Sequence, residues 1–261
     1  MTSKVRQAGR DRSDEPSVER GGAKAKSPRQ FLKEIEQMKD DALAGFSEGK
    51  FGELRFGDKE LRPEDRPQVI ALLKAMVYPE RIAADILSSR IPLIPDFDFK
   101  LRVAEQASEE LQHLNILRGM LAEWGQDPDE MWENPLPELV KVFEYVGGLE
   151  TLAEFFTANF IGESLLLNAN LKVMRAVAPE AFSVYLDVSI PDEAKHIQLN
   201  REAIMHYATT AEAQDRARLV AGRLLDSFIE GYKAKLRFMA EMAANRANGE
   251  NAPKAFSPGR I

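Results

Sequence analysis

Apolar residues along most of this chain recur at intervals of three and four, the spacing that lines one face of an α-helix. The first such stretch, residues 29–45, predicts a short helix. Between Phe46 and Pro63 the pattern stops at Gly49, Gly52 and Gly57, and a loop with room for a short strand pair is expected. From Pro67 the pattern becomes dense. It predicts helices over about 67–90, 97–124, 149–176 and 179–207, with Pro79 inside the first and Pro191 inside the last. Ile91–Asp96, with two prolines, marks one turn and Ala178-Pro179 another; Gly125–Pro137 is a longer connection. A shorter helical run starts near Glu138 and pauses at Gly147-Gly148. Thr209-x-x-Glu212 reads as a capping box. It opens a last helix whose apolar stripe is Leu219, Val220, Leu224, Leu225, Phe228, Ile229, Tyr232, Leu236 and Met239. Strand-like alternation is nearly absent, so the expected class is all-α.

The ends differ from the middle. Residues 1–28 are charged and rich in Gly, Ser and Pro, and a disordered tail is expected there. An N-terminal helix and loop over 29–66 then lead into a helical domain over 67–246. Residues 247–261 read as a second flexible tail.

Composition narrows the chemistry. A chain of 261 residues, 44% hydrophobic and 30% charged, can bury a full core. No apolar run approaches the length of a membrane span and no secretory signal follows the N-terminus, so a cytoplasmic protein without membrane contact is expected. The absence of cysteine excludes disulfides, thiolate metal sites, iron–sulfur clusters and cysteine nucleophiles. A net charge of −7 argues against a nucleic-acid partner.

Against that background one pattern stands out. The chain has 3 histidines, and two close a Glu-x-x-His: Glu110-Leu111-Gln112-His113 and, 83 residues on, Glu193-Ala194-Lys195-His196. An acid precedes each, Glu109 and Asp192. Thirty residues before each motif glutamate stands another, Glu80 and Glu163. Residues three apart share one side of a helix, so each motif points its Glu and His the same way. Two antiparallel arms of about 13 residues and a short turn bring residues thirty apart level with each other. Each half is thus expected to be a helical hairpin presenting Glu, Glu and His on one face. Two such hairpins face to face enclose four carboxylates and two imidazoles. In that arrangement each metal takes one His and one terminal Glu, and two Glu bridge. Such hard oxygen donors with one imidazole per ion suit iron or manganese. Glu109 and Asp192 are placed to hydrogen-bond the outer nitrogen of the opposite hairpin's histidine.

In the order Glu, Glu-x-x-His, Glu, Glu-x-x-His, residues 67–207 resemble the ferritin-like dimetal-carboxylate superfamily. The preceding acids and the thirty-residue spacing are loosely similar to the phenylacetyl-CoA epoxidase-type oxygenase subunits. The resemblance implies a ferritin-like four-helix bundle with additional N- and C-terminal helices. It implies metal ligands at Glu80, Glu110, His113, Glu163, Glu193 and His196. Pro79 leaves open a kink or a first turn at Glu80, with Asp85 as the alternative ligand, and Pro191 is expected to distort its helix near the metals. Ser189 stands where some relatives carry a further histidine, so a seventh ligand of that kind is not expected.

The expected activity is that of a dioxygen-activating oxidase or oxygenase acting on a small organic substrate. Two iron ions, or a manganese–iron pair, would be its cofactors and O2 its co-substrate. A separate electron donor and a homodimer are expected. The alternatives are a ferroxidase that handles iron and an accessory helical subunit of an oxygenase complex. Gln106, Ser189, Phe156, Phe160, Asn159 and Thr157 lie within two turns of a motif glutamate or of Glu163 and are candidates for lining a small cavity, with core packing the competing role for the phenylalanines. Tyr185 is a candidate radical or proton-relay group, or else a core tyrosine. His206 falls outside any ligand spacing.

Overall fold

The structure is a computed structural model and describes residues 24–48, 66–171, 174–175 and 179–247. The expected N-terminal tail up to residue 23, the glycine-bearing loop from residue 49 and the C-terminal tail from residue 248 lie outside the described residues. Among the described residues every regular element is helical. The helices are α1 (Pro28–Glu48), α2 (Arg66–Arg90), α3 (Phe97–Glu123), α4 (Glu130–Glu133), α5 (Pro137–Gly147), α6 (Leu152–Leu165), α7 (Pro179–Tyr207) and α8 (Ala211–Ala247). None is long and apolar enough to cross a membrane.

Local chemistry explains most boundaries. A 3-10 turn at Ile91–Leu93 ends α2, and the Asp96 carboxylate starts α3 by accepting from the backbone N–H of Asp98 (3.0 Å) and Phe99 (3.1 Å). Thr151 and Glu154 form a reciprocal capping box at the head of α6. At α8 the expected box on Thr209 and Glu212 does not form. Thr210 takes that role, its hydroxyl accepting from Ala213 N–H at 3.2 Å. The register is set by the buried Gln214 amide, which donates to the carbonyls of Ala208 (3.0 Å) and Lys26 (2.8 Å). The long helix expected over 149–176 is divided. α6 ends at Leu165 and passes into a wider π turn, Leu166–Leu171.

Both internal prolines are absorbed. α2 runs unbroken through Pro79 and α7 through Pro191, so Glu80 sits in the body of its helix and not in a first turn. The missing N–H of each proline is offset by apolar burial on the same helix, Met76, Val77 and Tyr78 in α2 and Leu186 and Leu199 in α7.

The long helices close into a ring: α2 packs on α3, α3 on α7, α7 on α6, α6 on α8, and α8 back on α2. The C-terminal helix is therefore not an appendage, because it stands between α2 and α6. α1 lies against α7 and α8, and α5 against α8 and α2. The stripe on α8 begins at Val220, since Leu219 is 74% exposed; the side chain of Leu236 lies outside the described ones.

Two apolar clusters fill the ring, one at each end. α3 enters the first through Val103 and Ala107 and the second through Leu117 and Leu121. α7 runs the other way, from Phe182 and Leu186 in the second to Leu199 and Ala203 in the first. α2 follows the direction of α7, and α6 that of α3. On all four helices the changeover falls at the glutamates and histidines singled out by the sequence. They form one polar belt between two dry ends.

Candidate metal centre

Four helices contribute to the belt: Glu80 from α2, Glu110 and His113 from α3, Glu163 from α6, Glu193 and His196 from α7. Glu80, Glu110, His113, Glu193 and His196 are all buried, and Glu163 keeps a small exposure towards a cavity that it lines. Asp85, a turn further along α2, is exposed and takes no part.

The belt resolves into two groups that share Glu110. Glu80, Glu110 and His113 form one; Glu110, Glu163, Glu193 and His196 form the other, with ligand atoms in each within 4.8 Å of one another. Both histidines turn Nδ1 inward. Glu110 offers Oε2 to His113 Nδ1 (3.6 Å) and Oε1 to His196 Nδ1 (3.4 Å). Glu193 does the same, with Oε1 at 3.6 Å from His113 and Oε2 at 3.3 Å from His196. Each of these two carboxylates thus spans both histidines, while Glu80 faces only His113, at 3.6 Å.

These separations suit ligands of a common cation better than direct hydrogen bonds. Two donors each about 2.1 Å from one ion lie about 3 Å or a little more apart. The hydrogen-bond count agrees. Glu80 Oε2, Glu110 Oε1, Glu193 Oε1 and His113 Nδ1 are all buried with no hydrogen-bond partner. Buried polar atoms are rarely left so; Glu80 Oε2 and Glu193 Oε1 face His113 Nδ1, Glu110 Oε1 faces His196 Nδ1, and a metal would satisfy such atoms. These Glu and His groups can hold metal ions.

Outer contacts orient the inner ones. His196 Nε2 lies 2.7 Å from Glu109 Oε2, and His113 Nε2 lies 3.3 Å from Asp192 Oδ2. Each acid belongs to the hairpin opposite the histidine it contacts. Placed there, it favours a proton on Nε2 and leaves the Nδ1 lone pair for a metal. Lys195, on the surface, joins the two acids at 3.3 Å from Glu109 and 2.7 Å from Asp192. The outer glutamates are anchored too: Tyr185 donates to Glu80 Oε1 at 2.6 Å, and Gln106 Nε2 donates to Glu163 Oε1 at 2.7 Å.

Crowding this many carboxyls in a dry belt shifts their ionisation. Burial pushes Glu110 up to about 8, with the Glu163 charge adding to it. Burial raises Glu163 and Glu193 well above the carboxylate range, and each feels another glutamate's charge. Glu80 goes the other way: burial opposes its charge, but bonds with His113 and Tyr185 outweigh it and lower its value. Burial also opposes the charge on His113, yet Glu110 and Glu80 hold it up to about 12. Without a metal, protons take the place of cations in this belt.

The remaining sequence candidates divide. Asn159 lines the cavity, but Gln106, Ser189, Phe156, Phe160 and Thr157 do not. Phe156 and Phe160 belong to the first apolar cluster, turned there because α6 buries residues all round. His206 is exposed and sits against Phe99 and Tyr207. What the sequence reading missed is the wall that α8 and α5 give the cavity. Phe228, Ile229 and Tyr232 were legible as an apolar stripe, but nothing in their spacing tells a cavity wall from core.

Compared with known proteins, the chain matches no family model, no curated protein and no solved structure.

Tyr185→Phe is expected to keep the fold and to weaken metal retention at the Glu80 group by about 10- to 100-fold, as loss of an outer hydrogen bond does elsewhere. Competition with a chelator of known affinity measures this; unchanged retention would mean that Tyr185 only fills space.

Proposed function

We propose that this protein is a dimetal-carboxylate oxidase or oxygenase, built on a ferritin-like arrangement of α2, α3, α6 and α7, that uses dioxygen on a small organic molecule. Glu80 with His113, and Glu163 with His196, would be the outer ligands of the two ions, and Glu110 and Glu193 the bridges. The donor set, mostly carboxylate with one imidazole per ion, favours iron or a manganese–iron pair. Such a pair supplies the redox chemistry that side chains lack. The chain's own residues do the rest: Glu109 and Asp192 hold the histidines in the ligating tautomer, and Tyr185 and Gln106 aim the outer glutamates. With no cysteine in the chain, electrons would come from a separate donor.

One observation carries the choice of an organic substrate. Glu80, Glu110 and Glu163 stand at one side of a mainly apolar cavity whose other walls are Ile86, Leu139, Phe143, Val146, Leu225 and Phe228. The centre of a water molecule can range over about 130 Å³ of it. That resembles an apolar cavity able to take a benzene-sized molecule. A path for ferrous iron would be polar, so the ferroxidase reading is less well served.

The test loads the protein with ferrous iron without oxygen and then admits dioxygen with a small-molecule reductant. Oxygen uptake that requires the iron bound in the belt, draws its electrons from the reductant, and rises on adding small apolar compounds is expected. Continuous oxidation of excess ferrous iron with growth of a ferric mineral would replace this reading with iron handling.

A further inference from the structure

Besides Tyr232, the cavity is lined by two polar side chains that the metal belt does not use. Lys235 enters from α8 and Asn159 from α6, one turn before Glu163. Lys235 is only 7% exposed, and no hydrogen bond or ion pair engages its ammonium among the described residues. Asn159 Nδ2 is likewise buried without a partner. Both side chains carry donors, and both residues line a space whose lining is otherwise largely hydrocarbon. An ammonium without a partner beside a largely apolar cavity is costly, as is a buried unpaired amide.

Charge counting adds to this. In the metal-free belt Lys235 feels the negative charge of Glu80. Two divalent ions would cancel four ionised glutamates, and Lys235 would then stand beside a neutral centre as an unbalanced cation. In the metal-free protein burial lowers its value to about 8, with the Glu80 charge opposing the fall, and an anion bound beside it would favour the ammonium. An anion in the cavity would restore balance and accept from both donors.

We propose that Lys235 and Asn159 form the binding site for the anionic head of the substrate, a small carboxylate whose apolar body, of about one ring or a short alkyl chain, fills the cavity beside the metals. This rests on the dimetal reading above. α8 thereby supplies a recognition residue as well as a wall. The head is held at Lys235 while the body lies against Ile86, Val146 and Leu225, and the molecule's position relative to Glu80 and Glu163 is fixed at one end.

Binding to the manganese-loaded protein tests this without turnover, using matched probes: hexanoate against hexan-1-ol, and benzoate against benzyl alcohol. Wild type is expected to bind each acid at least ten-fold tighter than its alcohol. Lys235→Met should abolish that preference while keeping the alcohols' affinity, Lys235→Arg should keep part of it, and Asn159→Ala should reduce it. Manganese content is measured in the same samples. A wild type that holds two ions but shows no preference, or a Lys235→Met protein that keeps it, overturns the anion site and leaves the metal reading standing. A wild type that holds no manganese overturns the reading on which the proposal rests. A folded Lys235→Met protein is expected, since methionine matches the lysine stem and removes a buried charge.

Discussion

Glu110→Ala, loaded with ferrous iron or manganese without oxygen and then desalted, is expected to retain less than one ion per chain where wild type retains two. Glu110 belongs to both ligand groups, and its two oxygens face different histidines. Removing it takes a ligand from each ion at once. Glu193→Ala should behave alike, because its oxygens also divide between His113 and His196. Asp85→Ala is the control and should keep both ions, being exposed and outside the belt. Helical circular dichroism should survive in all three, since in the belt an alanine relieves like-charge crowding and at Asp85 it replaces an exposed side chain. Metal analysis by plasma mass spectrometry decides the matter: two ions retained in both glutamate variants would end the site assignment.

The second large effect is in pH. In the metal-free protein Glu110 has an ordinary value of 4.5 raised to about 8, and His113 an ordinary value of 6.5 raised to about 12. A group raised on folding gives stability that is full below its ordinary value and lost as pH rises through the folded one. Both therefore make the metal-free protein less stable with rising pH, from about pH 5 upward for Glu110 and above about pH 6.5 for His113. Glu80 and Asp192 are lowered on folding, and their contributions are lost only on acidification. Across pH 6 to 9 the melting temperature of the metal-free protein should fall. Metal binding should reverse the trend, because protons leave the same groups to admit the ions. Saturating manganese is expected to raise the melting temperature by about 10 °C or more at pH 8, and by less at pH 6. A metal-induced rise that is equal at both values would mean that these carboxyls do not compete with the metal for protons.

How much of this was legible beforehand varies with the range of the forces involved. The all-helical class and the ends of α2, α3 and α7 follow from periodicity and punctuation, which are local. The gathering of six residues into one belt follows from their spacing, because antiparallel helices of matched length leave residues thirty apart little choice. Crossed contacts such as Glu109 to His196 could also be anticipated, since hairpins that face each other must exchange outer partners. What failed to show were choices made by tertiary packing. Thr209 and Thr210 are equally good caps, and Gln214 picks between them by a contact to Lys26, far away in sequence. Prolines 79 and 191 predict interruptions that burial on either side overrides. The stripe of α8 suggests a helix packed on a finished bundle, but only the folded chain places it between α2 and α6.

That placement separates two kinds of heritable change. Every belt residue lies between Glu80 and His196, whereas much of the cavity wall comes from Leu225 to Lys235, a stretch encoded further downstream. If the belt holds two ions as proposed, substitutions at 225, 228, 229 and 235 would alter the cavity wall without removing a ligand from either. On the proposed reading, a directed-evolution library confined to those codons would vary the cavity wall and leave all six belt residues unchanged.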